Sequence, residues 1–171
     1  QIEKLVNEFS DFARMPKPVL INNDLITIIS ENIKLLQQID TSIKFNFFKN
    51  KERVLLNSDK EQISRVFLNL IKNSIESIKE NELKGTNKAK KISIELVEDD
   101  KHINVIINDT GVGFKNLKES VKNIVNPYFT TKKNGTGLGL SIVNKIINDH
   151  NGSINFSSTN EGAKIEIFFS K

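Results

Sequence analysis

The chain has 171 residues, of which 37% are apolar, enough to bury one good-sized core. It contains no cysteine, which excludes a disulfide framework and thiolate metal sites, and no apolar run of about 18 residues, which excludes a membrane span within it. The 25 basic and 21 acidic residues are scattered, so the net charge of +4 forms no basic strip of the kind that binds nucleic acid. We therefore expect one globular domain without a nucleic-acid partner.

The first predicted element is a helix with a narrow apolar stripe that packs against another helix. The chain starts at Gln1 without an initiator methionine, and we interpret it as a piece of a longer protein whose helix begins before this residue. Met15-Pro16-Lys17-Pro18 ends the helix, because proline lacks an amide hydrogen and disfavours helical geometry in the residue before it. We place the domain boundary here, between residues 1–16 and 17–171. The stripe consists of Ile2, Leu5, Val6, Phe9, Phe12 and Ala13.

The next segment predicts a helix and a hairpin. Asn23 or Asp24 can cap a helix that runs to about Gln38. Two strand candidates, Ile43–Phe48 and Arg53–Leu56, flank a polar tetrapeptide, which favours a hairpin between them.

A second, longer helix follows. Asp59 with Gln62 three residues later has the form of a capping box, in which each side chain bonds the other residue's backbone amide. The helix should run to about Asn81. Its apolar stripe is Ile63, Val66, Phe67, Leu70, Ile71, Ile75 and Ile78.

The rest of the chain predicts two strand pairs, a lid and a third helix. Period-two alternation indicates antiparallel strands on either side of the acidic turn Glu98–Asp100. The polar, glycine-bearing segment at about 110–136 has a length typical of a functional lid. A helix from about Gly137 stops at Asn151-Gly152, and strands at 154–158 and 164–169 close the chain. We predict an α+β two-layer sandwich: a mixed, mostly antiparallel sheet covered by about three helices, with an N-terminal helical stub.

Asp109 is the most informative single residue. It continues the odd-numbered register of apolar residues in its strand, so its carboxylate should point to the core side. An unpaired polar group there costs ~2–7 kcal/mol, so a donor is needed. Either the carboxylate caps the turn at Thr110-Gly111, or it accepts a hydrogen bond from the exocyclic amine of a flat ligand. Gly111 and Gly113 would let backbone come close to such a ligand and favour the second interpretation.

Two further patterns point to a bound phosphate. The run Gly135-Thr136-Gly137-Leu138-Gly139-Leu140 opens a helix, where free amides and the positive end of the helix dipole favour anions. It matches neither a dinucleotide-binding fingerprint nor a P-loop, and its alternative is a flexible loop with a helix cap. On the long helix, Asn69, Asn73 and Glu76 share the polar face. Such a face is either simply solvated or supplies amide oxygens to Mg²⁺.

Together, four segments resemble the motifs of histidine kinases. Residues 69–77 resemble the N box, 109–114 the first glycine box, 127–132 the F box and 135–140 the second glycine box. The resemblance implies the ATP-binding fold shared with gyrase, Hsp90 and MutL, from about 19 to 169. The stub before Pro18 is similar to the end of the dimerisation and histidine-phosphotransfer helix in nitrogen-regulation sensor kinases of the NtrY and NtrB type.

The resemblance implies roles for individual residues. Asn73 would ligate Mg²⁺, Asn69 would support that site and Lys72 would contact phosphate. Asp109 would accept a hydrogen bond from the adenine amino group beside Gly111 and Gly113. Two lysines in the predicted lid, Lys132 and Lys133, would either reach the γ-phosphate or remain solvated. The nucleotide-binding residues implied in the lid and at the helix start are Thr130, Thr131, Lys132, Lys133, Gly135, Thr136, Gly137, Leu138, Gly139 and Leu140.

The function implied is transfer of the ATP γ-phosphoryl group to a histidine on an upstream dimerisation helix. Neither His102 nor His150 has the setting of that acceptor, so we expect it before Gln1. The implied partners are the chain's own dimerisation domain, in a homodimer, and a response-regulator receiver domain. The resemblance also implies a cytoplasmic domain of an inner-membrane-anchored sensor, with any membrane contact through upstream segments.

Two alternatives stay open. One is an ATPase of the gyrase or MutL type, but these use a glutamate base at the position of Asn69, and an amide cannot take a proton from water. The other is a nucleotide-binding module without transfer activity. Its hint is Ala163, which stands where the family often has a threonine whose hydroxyl supports a water beside adenine.

The chain also departs from the family at Asn151, which stands where a glycine is commonly found. We expect this asparagine to be tolerated because asparagine enters left-handed geometry readily.

Overall fold

The computed structural model describes residues 14–114 and 139–171, together with Ile2, Glu3, Val6 and Asn7, which are helical. These residues form seven strands and three further helices. In chain order they are β1 (Ile21–Asp24), α1 (Leu25–Leu36), β2 (Lys44–Lys49), β3 (Leu55–Ser58), α2 (Lys60–Leu83), β4 (Lys91–Glu98), β5 (His102–Asp109), α3 (Gly139–Asp149), β6 (Gly152–Ser158) and β7 (Ala163–Ser170).

The main sheet has five strands in the order β2-β4-β5-β7-β6, and β1 pairs with β3 in a separate two-stranded sheet. All neighbours are antiparallel except β2 and β4. The predicted hairpin between Ile43–Phe48 and Arg53–Leu56 is therefore wrong. Phe45 and Phe47 pair instead with Ile92 and Ile94 of β4, which adds them to the core side of the main sheet. Alternation identifies strands but does not determine which strand each one joins.

One face of the main sheet packs against the helices and forms the core. Inward residues of β4, β5 and β7 alternate with outward ones, as period-two patterning requires. α2 lies between α1 and α3, and its apolar stripe is buried against the sheet. The predicted two-layer α+β sandwich is confirmed. Within the described residues, none of the helices is both long enough and apolar enough to cross a membrane.

The helix caps were predicted in part. Asp24 caps α1 by accepting from the Ile26 amide at 3.1 Å, and the helix ends at Leu36, slightly before the predicted Gln38. Asp59 caps α2 by accepting from the Gln62 amide at 3.2 Å. The reciprocal half of the box is absent, because the Gln62 side chain donates to the Pro16 carbonyl at 2.9 Å.

His150 accepts the hydrogen bond that the Gln62 side chain would accept in a complete capping box, and it joins two helices. The Asp59 amide donates to His150 Nε2 at 3.1 Å, which leaves the ring proton on Nδ1, 2.7 Å from the Ile146 carbonyl. The buried imidazole thus ties the C-terminus of α3 to the N-terminus of α2. The following residue, Asn151, has φ 58°, as the left-handed prediction requires.

Candidate functional site

The polar face of α2 carries two asparagines one helical turn apart. Asn69 and Asn73 are half-buried on this face, and Lys72 is exposed beside them. The i, i+4 spacing puts the two amide groups side by side. Because the opposite face of α2 is fixed in the core, this polar face has one possible orientation relative to the sheet.

The start of α3 lies next to this face. A Cβ atom added to Gly139 would be 4.0 Å from Asn69 Oδ1, so the asparagine amide and the first turn of α3 adjoin each other. The first backbone amides and the positive dipole end of α3 therefore lie beside Asn69. Leu140 is half-buried and packs against the core, which anchors the first turn.

Asp109 ends β5 as a buried carboxylate, with 5% of its surface exposed. Its Oδ1 accepts from the Gly111 amide at 2.9 Å and from the Ala163 amide at 3.3 Å. Burial raises the pKa of the Asp109 carboxyl, and these amide hydrogen bonds oppose the rise. Oδ1 therefore holds two backbone amides, and Oδ2 is the carboxylate oxygen that these amides leave to other donors, among them the Ser74 hydroxyl on α2, which also lowers this pKa.

Two serines hold the backbone of the turn after Asp109. Ser77 Oγ, on α2, accepts from the Val112 amide at 3.0 Å, and Ser158 Oγ, at the end of β6, accepts from the Phe114 amide at 2.6 Å. A Cβ at Gly111 would lie 2.2 Å from Ser77 Oγ. The turn is thus fixed between α2 and β6, and glycine at position 111 allows the close approach.

The turn between β6 and β7 closes the other side of Asp109. A Cβ at Gly162 would lie 2.2 Å from the Asp109 carbonyl oxygen, so a side chain there requires the backbone to move. This contact brings the neighbouring Ala163 amide within reach of the carboxylate. Gly162 therefore belongs to the support of Asp109.

A separate open cleft of about 430 Å³ adjoins Asp109 from the outer face of the sheet. Ser93 and Asn108, which pair across β4 and β5, line it together with the β6–β7 turn. Asn69 and Asn73 do not line it. This cleft is therefore distinct from the site on the helical side of the sheet.

Comparisons with known proteins show the family to which the chain belongs. A family model described as histidine kinase-, DNA gyrase B- and HSP90-like ATPase matches residues 58–171, which include α2, Asp109 and α3. The chain belongs to this ATPase family.

Individual relatives of this ATPase-family chain are sensor kinases by name. It is 33% identical over 169 residues to a sensor histidine kinase NtrY-like protein of Rickettsia bellii, covering 98% of the chain and 26% of that relative. It is 34% identical over 163 residues to the nitrogen regulation protein NtrY of Azorhizobium caulinodans, covering 94% of the chain and 20% of that relative. The chain thus spans about a quarter or less of these relatives' length.

Solved structures with the same ATPase fold include the histidine kinase ThkA. Its catalytic domain, in a nucleotide-free form, has a TM-score of 0.77 and 28% identity, covering 90% of this chain and 98% of that one. ThkA in complex with the response regulator protein TrrA has a TM-score of 0.79 and 25% identity, covering 99% of this chain and 47% of that one.

Some of the residues predicted for the site are brought together, and others lie outside the description. Asn69 adjoins Gly139, and Asp109 contacts Gly111. Gly113 has φ 67°, which favours glycine. Their roles toward a ligand stay predictions. The predicted residues outside the described ranges are Thr130, Thr131, Lys132, Lys133, Gly135, Thr136, Gly137 and Leu138.

The sequence did not predict that Ser77, Ser158 and Gly162 support Asp109 and its turn, and it singled out Ala163 only through the family resemblance. Ser77 and Ser158 contact a turn that lies 35 and 44 residues away along the chain. Gly162 and the Ala163 amide reach Asp109 from a different hairpin, with 54 residues separating Ala163 from the carboxylate. Such contacts leave no periodic signal. The available signs were the glycine in the β6–β7 turn and the resemblance that singled out Ala163.

Proposed function

We propose that the chain is the ATP-binding catalytic domain of a two-component sensor histidine kinase, which transfers the γ-phosphoryl group of ATP to a histidine outside this chain. The observation that supports it most is Asp109. One carboxylate oxygen is occupied by two backbone amides, and the other is an acceptor beside a glycine turn. An acceptor-only group at this place fits the exocyclic amine of adenine.

The length of α2 fits an extended nucleoside triphosphate. Ser77 contacts the turn after Asp109, whereas Asn69 adjoins the start of α3. These two α2 residues are eight positions apart, which corresponds to ~12 Å of helix. We propose that the base lies at the Asp109 end and the phosphates at the Asn69 end, where the α3 amides and dipole favour negative charge.

The donor set on α2 fits Mg²⁺. Asn73 would ligate the ion and Asn69 would support it, because Mg²⁺ takes one or two protein oxygens together with phosphates and water. Within the described residues there is no group of three His, Cys, Asp or Glu that could hold a metal by itself. When bound, the ion would neutralise phosphate charge. Lys72, exposed on the same helix, would contact a phosphate oxygen.

Transfer to a partner histidine is favoured over hydrolysis. The Asn69 amide cannot act as a general base toward water. Of the two histidines, His102 is exposed at the start of β5, and both ring nitrogens of the buried His150 are engaged. We propose that the acceptor lies on an upstream dimerisation helix, that the intact protein is a homodimer, and that a response-regulator receiver domain takes the phosphoryl group.

We also propose a place for this domain in the cell. The relatives named above are sensor kinases much longer than this chain. The domain would lie on the cytoplasmic side of an inner-membrane-anchored sensor, and residues 1–16 would end its dimerisation helix. Residues at about 110–136 would form a lid over the nucleotide.

The test of transfer uses the longer protein that includes the upstream helix. Incubation with γ-labelled ATP and Mg²⁺ should give a protein-bound phosphate that is lost in acid and kept in base. The matched control is the same protein with Asp109→Asn. ATP binding without any acid-labile phosphate would favour the binding-module alternative, and steady phosphate release without labelled protein would favour an ATPase.

A further inference from the structure

The helices α2 and α3 run antiparallel beside each other, with one contact at each end of the pair. At one end His150, directly after α3, meets Asp59, the N-cap residue of α2. At the other end Gly139, the first residue of α3, adjoins Asn69. Asp59 and Asn69 are separated by ~15 Å of helix, and α3 has about the same length. The pair therefore extends from His150 to the proposed phosphate end.

His150 bridges the two helices through a ring that is held on both sides. It is buried, with 8% of its surface exposed. Its Nδ1 lies 2.7 Å from the Ile146 carbonyl and holds the ring on α3, while its Nε2 accepts from the Asp59 amide at 3.1 Å. Asp59 is held in turn, because its Oδ1 accepts from the Gln62 amide in the first turn of α2. The imidazole thus adds a directional contact to apolar packing that is non-directional.

The gap between Asn69 and the first turn of α3 depends on how the two helices are placed. A helix moves as a hydrogen-bonded rod, so a shift of α3 at its His150 end is carried along to Gly139. Phosphate binding at the start of a helix depends on where the first backbone amides point. A contact at the far end of the pair can therefore control the phosphate end.

We propose that His150 is a positioning residue for the nucleotide phosphates. By holding the C-terminus of α3 to the N-cap of α2, it sets the distance between the first turn of α3 and the asparagines Asn69 and Asn73. The inference rests on the proposed function. At ~15 Å from the proposed phosphate end, His150 would contact neither the nucleotide nor the metal ion.

The base end of the proposed site is held by other elements. Asp109 and the turn after it contact α2, the end of β6 and the β6–β7 turn. Breaking the His150 bridge should therefore weaken the binding of the phosphates and leave the binding of the base unchanged. A general loss of packing would weaken both.

Two substitutions at His150 form a matched pair. In His150→Asn the side-chain amide lies where Nδ1 does, so it can keep the bond to the Ile146 carbonyl but is too short to reach Asp59. In His150→Gln the side-chain amide lies where Nε2 does, and its oxygen can accept from the Asp59 amide. The first variant removes the bridge between the helices and the second retains it.

Binding of Mg·ATP and of adenosine, which lacks phosphates, is measured for both variants. His150→Asn should bind Mg·ATP roughly 2- to 12-fold more weakly than the unaltered protein, because one hydrogen bond between the helices is lost. His150→Gln should bind Mg·ATP more tightly than His150→Asn does. Adenosine, measured by competition, should bind all three proteins equally.

Amide hydrogen exchange tests the same coupling without a substitution. A bridge that favours phosphate binding must itself be favoured by bound phosphates, because coupling between two sites is reciprocal. At concentrations that raise the melting temperature equally, Mg·ATP should slow exchange of the Asp59 amide more than adenosine does. The control is the Ile26 amide, which bonds the Asp24 cap of α1 and should respond equally to the two ligands.

The outcomes distinguish this inference from the proposed function. If the unaltered protein binds neither Mg·ATP nor adenosine, the proposed function fails and the inference with it. If it binds both, and His150→Asn binds Mg·ATP equally well, only the His150 inference fails.

Two further results would assign His150 a packing role and overturn the inference. One is an equal loss of affinity for Mg·ATP and adenosine in His150→Asn, and the other is an Mg·ATP affinity as low in His150→Gln as in His150→Asn. If His150→Asn does not fold, the exchange measurement decides. Equal protection of the Asp59 amide by the two ligands would then overturn the inference.

Discussion

The two ends of the proposed site are built in different ways. At the Asp109 end, backbone amides, two serines and two glycine contacts hold the carboxylate and the following turn. At the Asn69 end, the described contribution is a pair of side-chain amides and the first turn of α3. The first end is determined by contacts between elements far apart in the chain, and the second by one helix face and one helix terminus.

This difference suggests different roles for the two ends of the proposed site. In the proposed site, base recognition would depend on backbone geometry that the fold fixes before any ligand binds, which would lower the cost of ordering on binding. Phosphate and metal recognition would depend on side chains on the polar face of α2, which faces away from the core. Substitutions at the two ends should therefore differ in their effect on folding.

The largest effect is expected at Gly162. Gly162→Ala places a methyl group against the Asp109 carbonyl, and relieving the clash should lower the free energy of unfolding by about 1–3 kcal/mol. Because the Ala163 amide moves too, ATP affinity should fall in parallel. Urea unfolding and calorimetry measure the two effects. Glu161→Ala, an exposed neighbour in the same turn, is the control. Unchanged stability in Gly162→Ala would show that this end is less rigid than described.

Asn73→Ala should affect binding more than folding. The expected result is a loss of about tenfold or more in the Mg²⁺-dependent part of ATP affinity, because the ion loses a ligand. Titrations with Mg²⁺ and with EDTA isolate that part, and the urea midpoint should change less than in Gly162→Ala. Lys79→Ala, exposed further along α2, serves as control. If the unaltered protein binds ATP equally with and without Mg²⁺, the assignment of Asn73 is wrong.

A small effect is expected at an ion cluster away from both ends. Glu98 contacts Lys51 Nζ at 2.9 Å and Lys171 Nζ at 3.4 Å, and the hydrogen bond from Lys51 holds the pKa of Glu98 below its usual value. Glu98→Gln should cost about 1 kcal/mol or less at neutral pH, because both lysines are partly exposed.

The pH dependence of this effect has a definite sign. A carboxyl group whose pKa is lowered by folding stabilises the protein above its unfolded pKa, and this contribution is lost as the pH falls through the folded value. The difference between Glu98→Gln and the unaltered protein should thus disappear on acidification. ATP affinity at neutral pH should be the same in Glu98→Gln and in the unaltered protein. A difference in affinity would show that this ion cluster is energetically coupled to the proposed site.

The sequence predicted the parts of the site that follow a local period. The alternation of β5 placed Asp109 on the core side, and the helical period placed Asn69 and Asn73 together. The order of predicted helices and strands, and then the family resemblance, predicted the two-layer fold, which the structure and its relatives confirm. Asn151 in left-handed geometry was also predicted from its residue type.

The contacts that the sequence could not predict are long-range. The parallel pairing of β2 with β4 depends on the crossover through α2, so a short polar linker between β2 and β3 was misinterpreted as a hairpin turn. Gln62 bonds the Pro16 carbonyl instead of closing its capping box, because His150 already accepts from the Asp59 amide. Both outcomes were decided by residues distant in the chain.

Binding of ATP to Asp109→Asn is the most direct test of the proposed site. Since Oδ1 must still accept from the Gly111 and Ala163 amides, the asparagine oxygen would face them and its NH₂ would replace Oδ2. Two donors would then meet at the adenine amino group. Calorimetry should detect no ATP binding to a variant that melts cooperatively, next to clear binding by the unaltered protein. Equal ATP affinity in the two proteins would contradict the account.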